Sequence, residues 1–200
     1  DKYGILLISD DVICAFGRLG HWFGYEKFGY KPDLITFAKA VTSGYIPLGG
    51  VMVGSRVAQV LIEQGGEFNH GYTYSGHPVA CAVALENLRI MQDEKIVEHV
   101  RDVAYPYLNE RWAALADHPM VGEAKLVGLM GSIALSPNKA KRAKFASEAG
   151  TVGFKMRERC FANNLIMRHV GDRMIIAAPL VITPAEIDVL IARAQSSLDE

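Results

Sequence analysis

The sequence has little of what several protein classes require. Its three cysteines lie far apart, which argues against a disulfide scaffold, and no CxxC or Cys/His spacing indicates zinc. The 21 Lys and Arg residues do not outnumber the 22 Asp and Glu residues, so the basic excess of a general nucleic-acid binder is missing. The longest apolar runs, such as residues 5–8, are far too short for a membrane span. We therefore expect a protein of the reducing cytoplasm, without a nucleic-acid or membrane partner.

What the sequence does contain predicts a packed fold. Half of its 200 residues are hydrophobic and 22% are charged, a composition that supports a core and excludes a disordered chain. No methionine precedes Met52, and residues 1–4 lead directly into the apolar run. From this start we predict that the sequence is the C-terminal piece of a longer protein, with a processed chain as the alternative.

The hydrophobic pattern predicts an α/β part, residues 1–93, followed by a smaller α+β part, residues 94–200. Apolar runs bounded by glycine and aromatic loops predict strands in the first part, and the second alternates helices with short strands. A capping box, Thr183–Glu186, predicts the start of the last helix. The predicted strands are 5–8, buried on both faces, 34–38, 50–54, two within 122–135, and 165–168 with 173–177, which form a hairpin across Gly171 and Asp172. Ser55 is predicted to cap a helix, and further helices are predicted to begin at 78, 96, 146 and 184.

Two chemically reactive side chains follow predicted strands of the first part. Asp10 comes directly after the first strand, and Lys39 comes directly after the second. In an open α/β sheet the carboxyl ends of the strands border the ligand crevice, so the acid and the amine are expected to face one crevice. Apolar neighbours of Lys39 predict an environment that desolvates its ammonium group, and such a lysine can form a Schiff base with a carbonyl. Taken alone, Asp10 also fits a turn or helix cap, and Lys39 a solvated surface residue.

Several separate motifs, in order along nearly the whole chain, resemble class III aminotransferases. These are pyridoxal-phosphate enzymes of fold type I, and the ω-transaminases with their amine–pyruvate branch belong to them. The motifs are Ile8–Val12 with Phe16–Arg18, Lys31–Lys39, Pro47–Gly50, His70–Pro78, Leu165–Arg168 and Ala178–Val181. Their number and spacing make the resemblance specific. It implies that residues 1–93 are the C-terminal part of the large cofactor-binding domain, with a mostly parallel sheet and helices, and that residues 94–200 are the small α+β domain.

The resemblance implies that the cofactor is pyridoxal 5'-phosphate and assigns residues that bind it. Lys39 would hold the cofactor as a Schiff base and, once freed by the substrate amine, would carry a proton as general base and then acid. Asp10 would pair with the protonated pyridine nitrogen, so that the ring withdraws electrons. Val12 would pack on one face of the ring, although an ordinary β-branched core residue is its plain role.

Three further residues match family positions around the phosphate and the substrate. Thr73 would bind the cofactor phosphate of the neighbouring subunit and Tyr72 would help to wall that site, which implies a homodimer with a shared active site. Arg168 would bind a substrate carboxylate, because a guanidinium can hold it with two hydrogen bonds. Without the resemblance, Thr73 is a loop hydroxyl bonded to its own backbone and Arg168 is a surface residue beside a turn. The six histidines contain no i,i+4 pair, so no metal site is expected.

The implied reaction is transfer of an amino group from an amine or ω-amino acid to pyruvate or a similar keto acid. Two alternatives stay open: an aminomutase or decarboxylating transaminase of the same family, and a truncated non-catalytic fragment. The family's usual Glu after the cofactor aspartate is Asp11 here, which keeps the charge but shortens its reach. The family's N-terminal portion, with a phosphate cradle and a ring-stacking aromatic, is not in this sequence. We therefore expect weak cofactor binding from these 200 residues alone.

Overall fold

In the computed structural model, which describes residues 2–200, the chain forms two units that divide after Val97. Each unit has its own sheet, three-stranded in the first and four-stranded in the second. All three cysteines are free thiols. Among the described residues, none of the helices combines the length and the apolar character that a membrane crossing needs.

The sheet of the first unit has the strand order β1 (Ile8–Asp10), β2 (Leu34–Phe37) and β3 (Gly50–Val53). β1 and β2 are parallel neighbours, as the sequence predicts, whereas β2 and β3 are antiparallel, so the sheet is mixed over the described residues. β1 begins three residues later than the apolar run predicts. Residues 5–8 are exposed, so the prediction of burial on both faces is wrong for the described residues, since none of them covers these side chains.

Four helical segments accompany this sheet. They are α1 (Gly24–Phe28), a 3₁₀ helix (Lys39–Thr42), α2 (Ser55–Gln64) and α3 (Pro78–Asp93). α3 begins at Pro78 as predicted, since proline loses no helical hydrogen bond at the first position. The prediction that Ser55 caps α2 is wrong: Gly54 holds the cap position, because its N–H donates to the Asp33 carbonyl at 2.8 Å and leaves Ser55 as the first helical residue.

One helical stretch covers the segment where the sequence predicts a single helix over residues 96–116. It begins with α4 (Ile96–His99), continues as a π-helix (Val100–Ala104) and α5 (Tyr105–Ala114), and ends in a 3₁₀ turn (Leu115–Asp117). Val100, Ala104, Leu108 and Trp112 recur every four residues and are all fully buried. This stripe is the apolar face that helical periodicity predicts.

The second unit has an antiparallel sheet with strand order β4-β5-β7-β6. Its elements are β4 (Val121–Val127), β5 (Met130–Leu135), α6 (Thr151–Ala162), β6 (Arg168–Val170), β7 (Arg173–Ala177) and α7 (Pro184–Asp199). The predicted hairpin across Gly171 is present, and its strands pair from Arg168 opposite Ile175 to Val170 opposite Arg173. Its first strand, β6, begins three residues later than predicted. α6 begins five residues later than predicted, after Gly150 with φ of 90°.

The core of the second unit lies between its sheet and its helices. Trp112, Ile133, Met174 and Ile187 are fully buried and come from α5, β5, β7 and α7. The predicted capping box at the start of α7 is also confirmed. Thr183 Oγ1 accepts from the Glu186 N–H at 3.3 Å, and the Glu186 carboxylate accepts from the Thr183 N–H at 2.8 Å.

Candidate active site

Asp10 is the last residue of β1, and only one of its two carboxylate oxygens accepts hydrogen bonds from the described residues. Its Oδ1 accepts from the Thr36 hydroxyl at 3.0 Å and from the Val12 N–H at 3.3 Å. Asp10 and Thr36 are register partners, so this hydrogen bond joins β1 to β2 on one face of the sheet. The residue is exposed, and no hydrogen bond to Oδ2 is found within residues 2–200. Asp10 therefore presents an oriented carboxylate that can accept one more donor.

Lys39 follows β2 after one intervening residue and begins the 3₁₀ helix with φ of 48°. This left-handed conformation costs a non-glycine residue roughly 1 to 2 kcal/mol, and backbone strain of this kind concentrates at functional sites. The prediction of a desolvating apolar environment is wrong for this chain: Lys39 is exposed, because the turn that carries it lies at the surface of the described residues. Its Nζ makes no hydrogen bond or ion pair within that part of the chain, so the amine is accessible.

Strand register relates Asp10 to Lys39. β1 and β2 run in the same direction, so both residues leave the same end of the sheet. Asp10 lies opposite Thr36, on a strand about 4.8 Å away, and three residues of chain to Lys39 span at most about 11 Å. The two Cα atoms therefore lie within about 16 Å of each other. The shared end of the sheet is the one that the sequence predicts, and that the two side chains face one crevice stays a prediction.

A cavity of about 660 Å³ opens beside Lys39. Its wall comes from the segment that begins at Ala38, the loop before β3 and the loop before α3. Residues along this wall include Lys39, Thr42, Leu48, Gly49, Tyr72 and Tyr74. Asp10, Val12 and Thr73 are not among the residues that line it. The structure thus brings Lys39 and Tyr72 to one cavity, with Asp10 and Val12 at the neighbouring strand end.

Asp11, which replaces the family's usual Glu, is fully hydrogen-bonded despite its shorter side chain. It is only 2% exposed and accepts from the Ser9 hydroxyl at 2.9 Å and from the Gly24 N–H at 2.7 Å. The Ser9 hydroxyl also bonds to the Tyr30 hydroxyl. A Cβ on Gly24 would lie 2.9 Å from Asp11 Oδ1, so this close approach requires glycine. The network ties the end of β1 to α1, and no single sequence motif indicates it.

Two carboxylates, those of Asp10 and Asp11, act on the Cys14 thiol at the end of β1. Burial raises the pKa of the Cys14 thiol, and the carboxylates of Asp11 and Asp10 raise it further. Two carboxylates therefore act on the same small region.

Tyr72 and Thr73 lie in the exposed loop between α2 and α3. The Tyr72 N–H donates to Ser75 Oγ at 2.9 Å, and the Ser75 N–H donates to the Tyr72 carbonyl at 2.9 Å, which closes a tight turn around Thr73. The Tyr72 ring packs edge-on against His70, with the ring centres 6.1 Å apart. The turn presents the Thr73 side chain to solvent within this chain.

Arg168, the predicted carboxylate-binding residue, begins β6 in the second unit and is exposed. Its guanidinium has no hydrogen-bond or ion-pair partner within the described residues. Arg173, five residues later, is instead engaged with Glu123 Oε2 at 2.9 Å and Ser132 Oγ at 2.8 Å. No group of His, Cys, Asp and Glu side chains is arranged to hold a metal ion in the part of the chain that the structure describes.

Two polar residues near Lys39 are not found by sequence reasoning. Thr42 is buried and donates its hydroxyl to the Ile46 carbonyl at 2.6 Å, which closes the loop after the 3₁₀ helix. Asn87 on α3 donates its side-chain amide to the carbonyls of Ala40 at 2.9 Å and Val41 at 3.1 Å. The sequence could have indicated Asn87, because it is a polar residue within an otherwise apolar stripe of α3.

The chain is similar to known proteins over nearly its whole length. The chain matches the family Aminotransferase class-III over residues 1–198. It is 56% identical to a putrescine–pyruvate aminotransferase of Pseudomonas aeruginosa over 199 residues, which is all of this chain and 43% of that protein. It is 44% identical over 193 residues to gamma aminobutyrate transaminase 1, mitochondrial, of Solanum lycopersicum, covering 95% of this chain and 37% of that protein.

A solved structure gives the same result for the fold. A thermostable (S)-enantioselective omega-transaminase from Thermomicrobium roseum superposes with a TM-score of 0.93 at 44% identity, over 99% of this chain and 44% of that one. The chain thus spans less than half the length of these relatives. Its fold is that of fold type I pyridoxal-phosphate-dependent transferases, with residues 2–200 forming part of it. The match over residues 1–198 shows that the chain belongs to the class III aminotransferase family.

Proposed function

We propose that this chain carries the lysine and the aspartate with which an aminotransferase acts on an amine and a keto acid. The observation that carries the proposal is the placement of Lys39 and Asp10 at the same end of two parallel strands, with Lys39 on the wall of a cavity. We further propose that residues 1–93 belong to a large cofactor-binding domain and residues 94–200 to a small domain. The sparse cysteines support the cytoplasm as its location, although the tomato relative is named as mitochondrial.

The donor set at this end of the sheet fits pyridoxal 5'-phosphate, on which the family depends. The cofactor offers an aldehyde to an amine and a protonated ring nitrogen to a carboxylate, and Lys39 and Asp10 supply those two partners. Asp10 and Lys39 are both exposed, and neither the Oδ2 of Asp10 nor the Nζ of Lys39 has a hydrogen bond within the described residues. The Asp11 carboxylate adds a second negative charge near Asp10. When bound, the cofactor supplies an electron sink that stabilises negative charge on the substrate carbon.

Lys39 would hold the cofactor covalently through Nζ and would then move the proton. The free Nζ would accept a proton from the substrate carbon as a base and would deliver it, as an acid, to the carbon that derives from the cofactor aldehyde. The exposed, unpaired Nζ is suited to this because no ion pair has to break before it acts. Asp10 would keep the ring nitrogen protonated, and Thr36 and the Val12 N–H would hold the carboxylate in place for that role.

The remaining candidates would shape the site. Val12 would pack on one face of the cofactor ring and Tyr72 would wall the cavity next to Lys39. Thr73, exposed at its turn, would donate its hydroxyl to the cofactor phosphate of a neighbouring subunit in a homodimer. Arg168, exposed and unpaired within the described residues, would bind the carboxylate of the keto acid or of an ω-amino acid.

Two groups of relatives support the substrate class. The bacterial relative at 56% identity is named for putrescine and pyruvate, and the tomato relative at 44% is named for gamma-aminobutyrate. Both names describe a primary amine at the end of a short aliphatic chain. We therefore propose a terminal amine or ω-amino acid as donor, and pyruvate or a similar keto acid as acceptor.

The test measures amino transfer by the natural full-length polypeptide that carries this sequence. With putrescine and pyruvate, the wild type should form alanine, and Lys39→Ala should form it about 10² to 10⁴ times more slowly, since it lacks the acid–base group. Lys31→Ala is the matched control, because Lys31 is an exposed lysine on the same segment. Borohydride reduction followed by mass spectrometry should leave a pyridoxyl group on Lys39.

Each other outcome assigns a different function. Wild-type protein that forms no alanine and carries no pyridoxyl group at Lys39 would overturn the proposal. Release of carbon dioxide would instead indicate a decarboxylating transaminase, and an amine moved within one molecule would indicate an aminomutase. In a titration of the 200-residue chain with cofactor, strong binding would contradict the alternative of a non-catalytic fragment.

A further inference from the structure

The turn that carries Lys39 has a backbone that is unfavourable by itself. Lys39 and Ser43 both have left-handed φ angles, 48° and 50°, and they bracket the four-residue 3₁₀ helix. Neither residue is glycine, so both conformations persist only where the surroundings hold them. What holds this turn therefore also determines where the Lys39 amine is presented.

Asn87 is the side chain of α3 that reaches this turn. Its Nδ2 donates to the carbonyl of Ala40 at 2.9 Å and to that of Val41 at 3.1 Å, the two residues directly after Lys39. The same Nδ2 also lies 3.7 Å from Met91 Sδ, a weaker acceptor, and the two carbonyls are its closer partners. The Val41 side chain beneath it is 4% exposed, so the contact is sheltered from competing water.

The position of Asn87 on α3 is determined by packing. Ala80, Ala84, Asn87 and Met91 follow one another at intervals of four, three and four residues, which places them on one face of the helix. The other three are buried, and α3 contacts the 3₁₀ helix. The two small alanines allow the helix to approach closely, and the asparagine supplies the only polar atoms in the stripe.

We propose that Asn87 is a positioning residue for Lys39. Its amide holds the carbonyls of Ala40 and Val41 in place. These hydrogen bonds stabilise the left-handed backbone of Lys39, which sets the direction of the lysine side chain. The proposal rests on the proposed function, because it assumes that the cofactor binds at Lys39 Nζ. Asn87 itself touches neither the cofactor nor the substrate.

Asn87→Asp tests this with a side chain of the same shape. The carboxylate puts an acceptor where Nδ2 donates, so it repels both carbonyls and the turn must move. The measured step joins Lys39 Nζ to the aldehyde carbon with loss of one water, and borohydride then fixes the product for mass spectrometry. We expect attachment at Lys39 in the natural full-length apoprotein to slow by about 10 to 100 times, since a displacement near 1 Å has effects of that size. In the loaded enzyme kcat should fall while KM for the amine stays within about twofold.

Asn163 offers a matched control in the second unit. Its Nδ2 also donates to a backbone carbonyl, that of Arg159 at 3.2 Å, and to Ser197 Oγ at 3.2 Å. Asn163→Asp should lower the melting temperature without slowing attachment at Lys39 per folded molecule. Asn87→Leu removes both donors without adding charge and should slow attachment as Asn87→Asp does.

The outcomes separate this inference from the function on which it rests. If the wild type takes no cofactor at Lys39, the proposed function fails. If the wild type does, and both Asn87 variants attach cofactor at the wild-type rate, the role of Asn87 is overturned. It is equally overturned if attachment falls only in proportion to the loss of folded protein, since that indicates a purely structural residue.

Discussion

The two units of this chain are nearly equal in length but differ in how their apolar residues are used. Among the residues that the structure describes, twenty-one hydrophobic residues are buried in the second unit and eight in the first. The exposed large hydrophobic residues show the reverse, with twenty in the first unit and eight in the second. Burial of apolar area is the main stabilising term in folding, so the second unit has the larger share of it.

The second unit has the features of a stable scaffold, and the first unit carries most of the candidate site residues. The first unit holds the candidate lysine on a strained turn, an exposed carboxylate and long loops, features that cost stability and concentrate at functional sites. The second unit has a continuous core and contributes one candidate residue, Arg168, at the start of a strand. The chain spans less than half of its relatives, and the apolar surface of the first unit is available to further protein.

The largest effect is expected from separating the units. Residues 94–200 expressed alone should unfold cooperatively in urea, because their core is complete within that range. Residues 1–93 alone should show no cooperative transition and should aggregate, since too little apolar area is buried to offset conformational entropy. Circular dichroism and sedimentation measure both. A cooperative transition in residues 1–93 would show that the comparison of buried residues misjudges the first unit.

A smaller effect is expected from one substitution made in each sheet. Ile133 on β5 is 0% exposed and Ile8 on β1 is 59% exposed. Ile133→Ala should lower the free energy of unfolding of this chain by about 2 to 5 kcal/mol through the cavity it leaves. Ile8→Ala should change it by less than about 0.5 kcal/mol, as exposed substitutions do. Urea unfolding of each variant gives both values.

The same pair can be made in the natural full-length polypeptide. There, a cost for Ile8→Ala close to that of Ile133→Ala would show that other protein covers β1. Equal and small costs in both chains would mean that the exposed face of β1 stays exposed. Both results leave the second unit as the one whose apolar residues are buried within this chain. A small change in the free energy of unfolding for Ile133→Ala would contradict that contrast.

Local signals in the sequence predict much of this fold and part of the candidate site. Pro78 and Thr183–Glu186 predict helix starts that the structure confirms, because proline and a capping box act through residues that are neighbours in the chain. Asp10 and Lys39 are predicted at one end of the sheet because parallel strands share that end. Their exposure is not predicted, because it depends on which protein packs over the strand, and the apolar residues before Lys39 indicate burial instead.

Contacts between distant segments could not be predicted in this way. A Cβ on Gly153 would lie 2.1 Å from the Gly171 carbonyl oxygen, so α6 packs against the β6–β7 turn only because residue 153 is glycine. The hydrogen bonds of Asp11 to Gly24 and of Asn87 to Ala40 likewise join residues 13 and 47 positions apart. Each contact depends on tertiary packing, which local patterns in the sequence do not predict.

The smallest expected effect concerns a helix end and its dependence on pH. α7 of the second unit begins with a side-chain cap, whereas α2 and α3 of the first unit have no side-chain hydrogen bond at that position. The Thr183 N–H and then the Thr183 hydroxyl hold the pKa of Glu186 below its usual value of about 4.3. Folding lowers this pKa, so the unfolded chain binds more protons at low pH. The stabilisation is therefore complete above about pH 4.3 and is lost as the pH falls through the folded-state pKa.

Glu186→Gln should accordingly be less stable than the wild type near neutral pH, and the difference should shrink as the pH falls below about 4.3. Urea unfolding can be followed through buried Trp112 in a Trp22→Phe background, which confines the fluorescence signal to the second unit. The exposed Glu158 on α6 gives a matched control, because Glu158→Gln removes the same charge from a residue for which no hydrogen bond or ion pair is found within the described residues. That variant should show no such change with pH. A difference for Glu186→Gln that stays constant from neutral to acid pH would mean that the cap stabilises α7 by shape rather than by charge.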